Sequence, residues 1–210
     1  MKTRILSVGL AAGLLLAGAA GARGAKGVFT IALHYTAPES DESDVSLAPG
    51  LGDKPVKLTI ADGRGESDPA VIGESSDDDD KVWPVRASND VAAWAGEVLQ
   101  KSAAEWGVKT ADDAPLTLSG ELKSLKLVES NKAVGSTYNV QTEVTFNLKD
   151  SKGQTLWQGT APGDATRYGR KRSAENANEV LRDALREAYI EIFNDAGLQE
   201  AWAGKGKPTG

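Results

Sequence analysis

The sequence predicts an α+β fold: a largely antiparallel sheet of about five strands, with two amphipathic helices packed on one face. Three observations carry this. Tyr138 to Leu148 alternates strictly, with Tyr138, Val140, Thr142, Val144, Phe146 and Leu148 on one side and Asn139, Gln141, Glu143, Thr145 and Asn147 on the other. One buried and one wet side is antiparallel behaviour. Two stretches, one from Val91 and one from Val180, carry apolar residues at spacings of three and four. Short turns between Leu116 and Tyr168 make three strands sequential neighbours.

Taken in order, Val28 to Tyr35 is predicted as a strand, with Phe29, Ile31, Leu33 and Tyr35 on one face. Residues 37–53 hold prolines, glycines and acids and read as a loop. Val56, Leu58 and Ile60 mark a second half-buried strand, ended by the turn pair Asp62-Gly63. Residues 62–87 are expected to form a long mobile loop, pinned at Val71-Ile72 and Val82-Trp83. Ser88-Asn89-Asp90 offers side-chain oxygens to the first free amides of a helix that runs to Trp106-Gly107. Leu116, Leu118 and Leu122 resume a period of two. Leu125 and Leu127 follow on the opposite phase, which places a bulge near Lys123-Ser124. Asn131 to Thr137 is a polar hairpin loop around Gly135, and Asp150 to Gly153 is a turn. A strand then runs from Thr155 past Pro162-Gly163 toward Tyr168. Asn176 with Glu179 resembles a capping box, and Gly197 is expected to close the second helix. Residues 26–197 are thus read as one domain and residues 198–210 as a disordered tail.

Residues 1–22 read as a cleavable export signal. Lys2 and Arg4 form the positive start, Ile5 to Leu16 the apolar centre, and Ala17-Gly18-Ala19 or Ala20-Gly21-Ala22 the cleavage site. The apolar run is short of the ~20 residues that a spanning helix needs. No cysteine is present to carry a lipid or form a disulfide. The expectation is a periplasmic protein, with secretion as the alternative, and no integral membrane span in the mature chain. Losing Lys2 and Arg4 takes the formal net charge from -6 to -8. That balance argues against bulk nucleic-acid binding, which wants a basic surface.

Several short motifs occur in a set order. Asp62-Gly63-Arg64 closes a strand, Ile72-Gly73 lies in the following segment, and Asn89-Asp90-Val91 precedes a helix carrying Trp94. A meander with Asp150 to Gly153 and Leu156-Trp157 comes next, then an amphipathic helix. From about Pro55 to Asp195 this order resembles the YajG family of bacterial envelope lipoproteins. The resemblance implies an envelope protein without a known catalytic site. The chain departs from the family in lacking the lipidated cysteine.

Two charge clusters are candidate binding elements. Asp77, Asp78, Asp79 and Asp80 sit in the 62–87 segment. A calcium site wants six to eight converging oxygens, whereas four consecutive carboxylates diverge, so the run reads as a solvated acidic loop. Arg167, Arg170, Lys171 and Arg172 lie just before the second helix, whose free amides favour anions. Three readings stand for them: an anion site, an internal partner for the Asp77 to Asp80 run, or a solvated connection. Trp94, Trp106 and Trp157 fall at core positions. Trp83, beside Pro84, and Trp202, in the tail, are the tryptophans expected to be exposed and available for contact.

His34 is the only histidine, placed on the wetter side of its strand, so no zinc set and no Ser-His-Asp arrangement is assembled. No cofactor and no metal are expected. The reading is a non-enzymatic binding or assembly module for an envelope protein or polymer. A hydrolase using Glu66, Asp68 and Glu74 on an envelope glycan, and a calcium- or anion-responsive regulator, are the alternatives.

Overall fold

A computed structural model describes residues 27–38 and 45–205. The expected leader, residues 1–22, lies outside the described residues, as do residues 206–210. Seven strands and three helices follow in the order β1 (Phe29–Ile31), β2 (Lys57–Asp62), β3 (Val71–Ser76), β4 (Val82–Ala87), α1 (Val91–Glu105), β5 (Leu116–Lys132), β6 (Gly135–Asp150), β7 (Thr155–Gly169), α2 (Ala174–Asn194) and α3 (Ala196–Ala203).

The fold is α+β, but the sheet is mixed and larger than expected. Its order is β1-β4-β3-β5-β6-β7, with β2 also paired to β5. The β5-β6-β7 meander is antiparallel, as the alternation predicts. Three pairings are parallel: β1 with β4, and β2 and β3 with β5, the last two because β5 is 17 residues long. One edge of it serves two short strands in tandem, β2 along its first half and β3 along its second. The bulge expected near Lys123-Ser124 is present, as a register shift between Leu122 and Ser124. Thr142 Oγ1 donates to the Ser124 carbonyl there at 2.7 Å.

Residues 62–87 contain a hairpin rather than one long loop. Its strands are hard to read because β3 bulges between Val71 and Gly73. Arg64 pins the approach to it: the guanidinium donates to both Asp62 carboxylate oxygens and to the Pro69 and Val71 carbonyls. That fan of bonds gives Asp62-Gly63-Arg64 a physical role. It also holds the Asp62 carboxyl below its usual range.

Both long helices cover one face of the sheet. Trp94, Val98, Leu99, Val180, Leu181 and Leu185 share a single core with Leu118, Leu122, Leu127, Val140, Val144 and Leu148. Tyr189 meets Phe146 edge-on at 5.9 Å. Asp90 caps α1, its side chain accepting from Ala93 N at 2.9 Å. The cap of α2 is Ser173, not Asn176. Asn176 and Glu179 instead receive the Arg167 guanidinium.

Gly197 does not close α2. Asp195 breaks the helix with an extended backbone and caps α3, accepting from Leu198 N at 2.7 Å. The start of the expected tail is therefore core, with Leu198, Ala201 and Trp202 buried.

The alternation of Phe29 to Tyr35 is real, but only three residues pair in the sheet, with β4. The chain then crosses the helices as a strap. Asn89 donates to the Leu33 carbonyl and accepts from its amide, Asn178 does the same for Ala32 and His34, and Arg182 donates to the Thr36 and Ala37 carbonyls. At its edge Tyr35 donates to Glu105, which also accepts from Arg186. Burial, then the bond to Glu105 and its charge, push the Tyr35 hydroxyl up to about 12 from 10.0. Between those values the unfolded chain has released a proton that the folded chain keeps. Stability is therefore expected to fall as pH rises from 10 toward about 12. Denaturant titrations across that window are expected to show a shallower fall in Tyr35→Phe.

Two devices blunt the β7 edge, which would otherwise offer a row of unpaired amides. Pro162 has no amide to present. Asp164 N, two residues on, donates to Glu187 of α2. Between them, Gly163 is where helix and sheet backbones touch: a Cβ there would lie 2.0 Å from the Ala184 carbonyl oxygen. Gly163→Ala is expected to cost about 1–3 kcal/mol, read by urea denaturation.

Candidate functional site

The two charge clusters lie at the same end of the sheet, and the register explains why. Val82, Ser76, Ser130, Thr137 and Tyr168 form one row across β4, β3, β5, β6 and β7. Just beyond that row lie the Asp77 to Asp80 turn, the β5-β6 turn at Ala133-Val134, and the connection from Gly169 into α2. Strands about 4.8 Å apart place Val82 and Tyr168 ~19 Å from each other.

The basic cluster is divided by the fold. Arg172 turns inward. Its Nε lies 3.1 and 3.0 Å from the two Glu129 carboxylate oxygens, and its guanidinium also donates to Ser75 Oγ. Ser75 Oγ donates to Glu129 Oε2 at 2.6 Å, and both Ser75 and Glu129 are fully buried. The Arg172 guanidinium stacks over the Phe29 ring at 4.9 Å. Ser173 N, next along, donates to the Tyr138 hydroxyl at 2.7 Å. Arg167 pairs with Glu179. Arg170 and Lys171 are exposed, and no hydrogen bond or ion pair joins them to another described residue.

The acidic run is an ordered turn that does not meet the basic cluster. Asp77 Oδ1 accepts from the amides of Asp79 and Lys81, so the first carboxylate shapes the turn. Asp78 accepts from Ala133 N at 3.3 Å, Asp79 faces Lys81 at 3.6 Å, and Asp80 faces Lys132 at 3.2 Å. Lys132 also donates to the Asp77 carbonyl. Each carboxylate thus looks toward a different donor. Among the described residues no group of three acids or histidines converges on one point.

Apolar exposure is concentrated here too. The four large apolar side chains exposed among the described residues are Val28, Val82, Val134 and Tyr168, at 39%, 61%, 81% and 61%. Val82, Val134 and Tyr168 lie in or beside the row just described. Val28 follows Gly27, which lies against the Trp83 ring. The Tyr168 hydroxyl donates to the Val134 carbonyl at 2.6 Å. The phenol end lies so close to Gly135 that a Cβ there would meet its oxygen at 2.5 Å. The acidic turn, the Val134 turn, Tyr168 and the Arg170-Lys171 pair therefore form one continuous surface.

The other sequence candidates are dispersed. Trp83 is half-buried on the helix side of β4. Trp202, expected to be exposed, is 1% exposed, edge-on to Phe193 and donating to the Lys54 carbonyl. Val82 was expected to anchor its segment but points to solvent, because β4 turns Val85 and Ala87 inward instead. Asp68 is bound to Arg86 at 2.6 Å, which lowers its pKa, and Glu74 faces Lys126 on the open face. Glu66 is exposed, and these three carboxylates are not gathered around a common cleft. His34 lies beside Glu175 at 3.6 Å. A shallow cavity of about 210 Å³ lies at the far end, lined by Lys57, Leu58, Gln100, Thr110, Ala111 and Asp112.

Sequence reasoning passed over Val134 and Tyr168. Val134 did carry a signal, as a large apolar residue in an otherwise polar hairpin loop. No described helix is long and apolar enough to cross a membrane.

No protein-family model matches the chain, and no curated protein matches it. Among solved structures it is similar to a DUF330 protein of Xanthomonas campestris, at 9% identity and a TM-score of 0.49, over 85% of this chain and 98% of that one. It is similar to a minor lipoprotein of Acinetobacter baumannii at 13% identity and a TM-score of 0.37, over 75% and 96%. A Neisseria meningitidis lipoprotein matches at 12% identity and a TM-score of 0.30, over 67% and 100%.

Proposed function

We propose that the protein is an exported, non-enzymatic module of the bacterial envelope that acts by binding, and that the end of the sheet built around Val134 is its contact surface. The observation that carries this is the gathering of Val82, Val134 and Tyr168 at one end, flanked by acids on one side and by Arg170 and Lys171 on the other. Exposed aromatic and aliphatic side chains set among charges are what a partner surface requires. The export reading rests on Lys2, Arg4 and the apolar run that follows, and it favours the periplasm. The order of motifs that resembles the YajG family supports an envelope role.

The test is affinity purification of the tagged mature protein from gently crosslinked cells, read by mass spectrometry. Val134→Asp with Tyr168→Ala is expected to lose the captured partner while the melting temperature stays within about 2 °C of the parent, since both are surface changes. Capture that is unchanged in this variant would exclude this end of the sheet as the contact surface.

A further inference from the structure

Resting on that reading, we propose that the occupant of this surface is a second copy of the chain, related by a two-fold axis that passes near Val134. A two-fold interface must be self-complementary, so each feature on one side of the axis needs its match on the other. The sheet end meets that condition. Asp78, Asp79 and Val82 lie to one side of Val134, and Tyr168, Arg170 and Lys171 lie to the other. Rotation by 180° sets Asp78 and Asp79 of each copy against Arg170 and Lys171 of its mate. It places the two Val134 turns together, with the Tyr168 rings beside them and the Val82 side chains farther out.

The internal contacts leave the right groups over. Asp77 is committed to backbone amides and Asp80 to Lys132, while Arg172 is committed to Glu129. Asp78 and Asp79 are exposed and held only loosely, Asp78 by the Ala133 amide at 3.3 Å and Asp79 by the exposed Lys81 at 3.6 Å, while Arg170 and Lys171 are exposed with no described partner. A purely basic partner would suit the acidic turn and be repelled by Arg170 and Lys171. A purely acidic partner would meet the reverse. Only a partner with both signs, set in opposite order, satisfies both flanks at once, and the chain is itself such a partner. The apolar centre is small and the pairing is between exposed charges, so the dimer is weak and salt-sensitive.

Sedimentation velocity of the mature protein over a concentration series, at low and high salt, tests this with two charge-reversed variants. One carries Asp78→Lys with Asp79→Lys, the other Arg170→Glu with Lys171→Glu. The parent is expected to dimerise at low salt and to dissociate as salt rises. Each variant alone is expected to self-associate about tenfold more weakly, because like charges then face each other. An equal mixture of the two is expected to recover pairing as a one-to-one heterodimer, which no loss of folding would produce. Circular dichroism melts check that both variants fold, and Val134→Asp, which leaves the charges alone, is expected to weaken the parent dimer as well. A parent that stays monomeric at every concentration overturns the proposal, and so does a mixture that does not pair. If the parent is monomeric while its capture of another protein from cells is lost in the same variants, the second-copy proposal fails and the binding surface stands. If neither pairing nor capture is seen, both fail.

Discussion

Trp202→Ala is expected to destabilise the protein by about 4 kcal/mol, the usual cost of truncating a large aromatic in a packed core. Trp202 is buried to 1% exposure, stands edge-on to Phe193 at 6.1 Å, and donates its Nε1 hydrogen to the Lys54 carbonyl at 3.3 Å. Phe193 in turn tilts against Trp106 at 5.4 Å, so the ring closes a run of aromatics joining α3, α2 and the end of α1. The same α3 helix holds the return of the chain. The Gln199 side chain accepts from Ala48 N and donates to the Ser46 carbonyl. Loosening α3 therefore frees residues 45–54 as well. Urea denaturation should show the loss in the midpoint with little change in slope. A loss below about 1 kcal/mol, within the range of surface changes, would mean that α3 is not part of the core.

Arg172→Ala is expected to cost about 3 kcal/mol, the lower end for breaking a buried ion pair by removing one partner. The lower end applies because the Arg172 side chain is 30% exposed, while Glu129 is fully enclosed. What remains is a carboxylate held by Ser75 alone in the helix-facing layer of the sheet. Removing both charges, as Glu129→Gln with Arg172→Met, is expected to cost less than Arg172→Ala alone, because no orphaned charge is left behind. If the double change cost as much as the two single changes added together, the pair would not be coupled. For a domain of this size, 3 kcal/mol corresponds to a fall in melting temperature of roughly 6–12 °C.

The contrast between these residues and their neighbours explains what could be read from the chain and what could not. The meander and the long helices were legible because their apolar residues repeat at periods set by the backbone itself. The β3-β4 hairpin was not. A bulge at Val71-Gly73 breaks its alternation, Ser75 places a hydroxyl in a core position to serve Glu129, and Pro84 stands within β4. The α3 helix had a legible spacing in Leu198, Ala201 and Trp202, but it spans only eight residues and sits beside glycines, which suggested a tail. The parallel pairing of β2 and β3 follows from the length of β5 and that of β1 from its place beside β4, and no local pattern encodes which strand a neighbour will join.

The basic cluster was visible as composition, while its division was not. Arg172 finds Glu129 43 residues away and Ser75 97 residues away, and only the sheet order brings them together. Arg170 and Lys171, two residues and one residue earlier, remain at the surface. Four adjacent cations thus serve two purposes, with Arg167 and Arg172 tying α2 to the sheet and Arg170 with Lys171 facing outward.

One paired measurement tests that division of the basic cluster. The tagged protein without residues 1–22, its Arg172→Ala variant and its Arg170→Ala/Lys171→Ala variant would each be melted and then used for capture after gentle crosslinking. Arg172→Ala is expected to lower the melting temperature by roughly 6–12 °C. Arg170→Ala/Lys171→Ala is expected to melt unchanged and to lose its crosslinked partner or second copy. An Arg172→Ala protein as stable as the parent, or a double variant that captures as well as the parent does, would contradict that division.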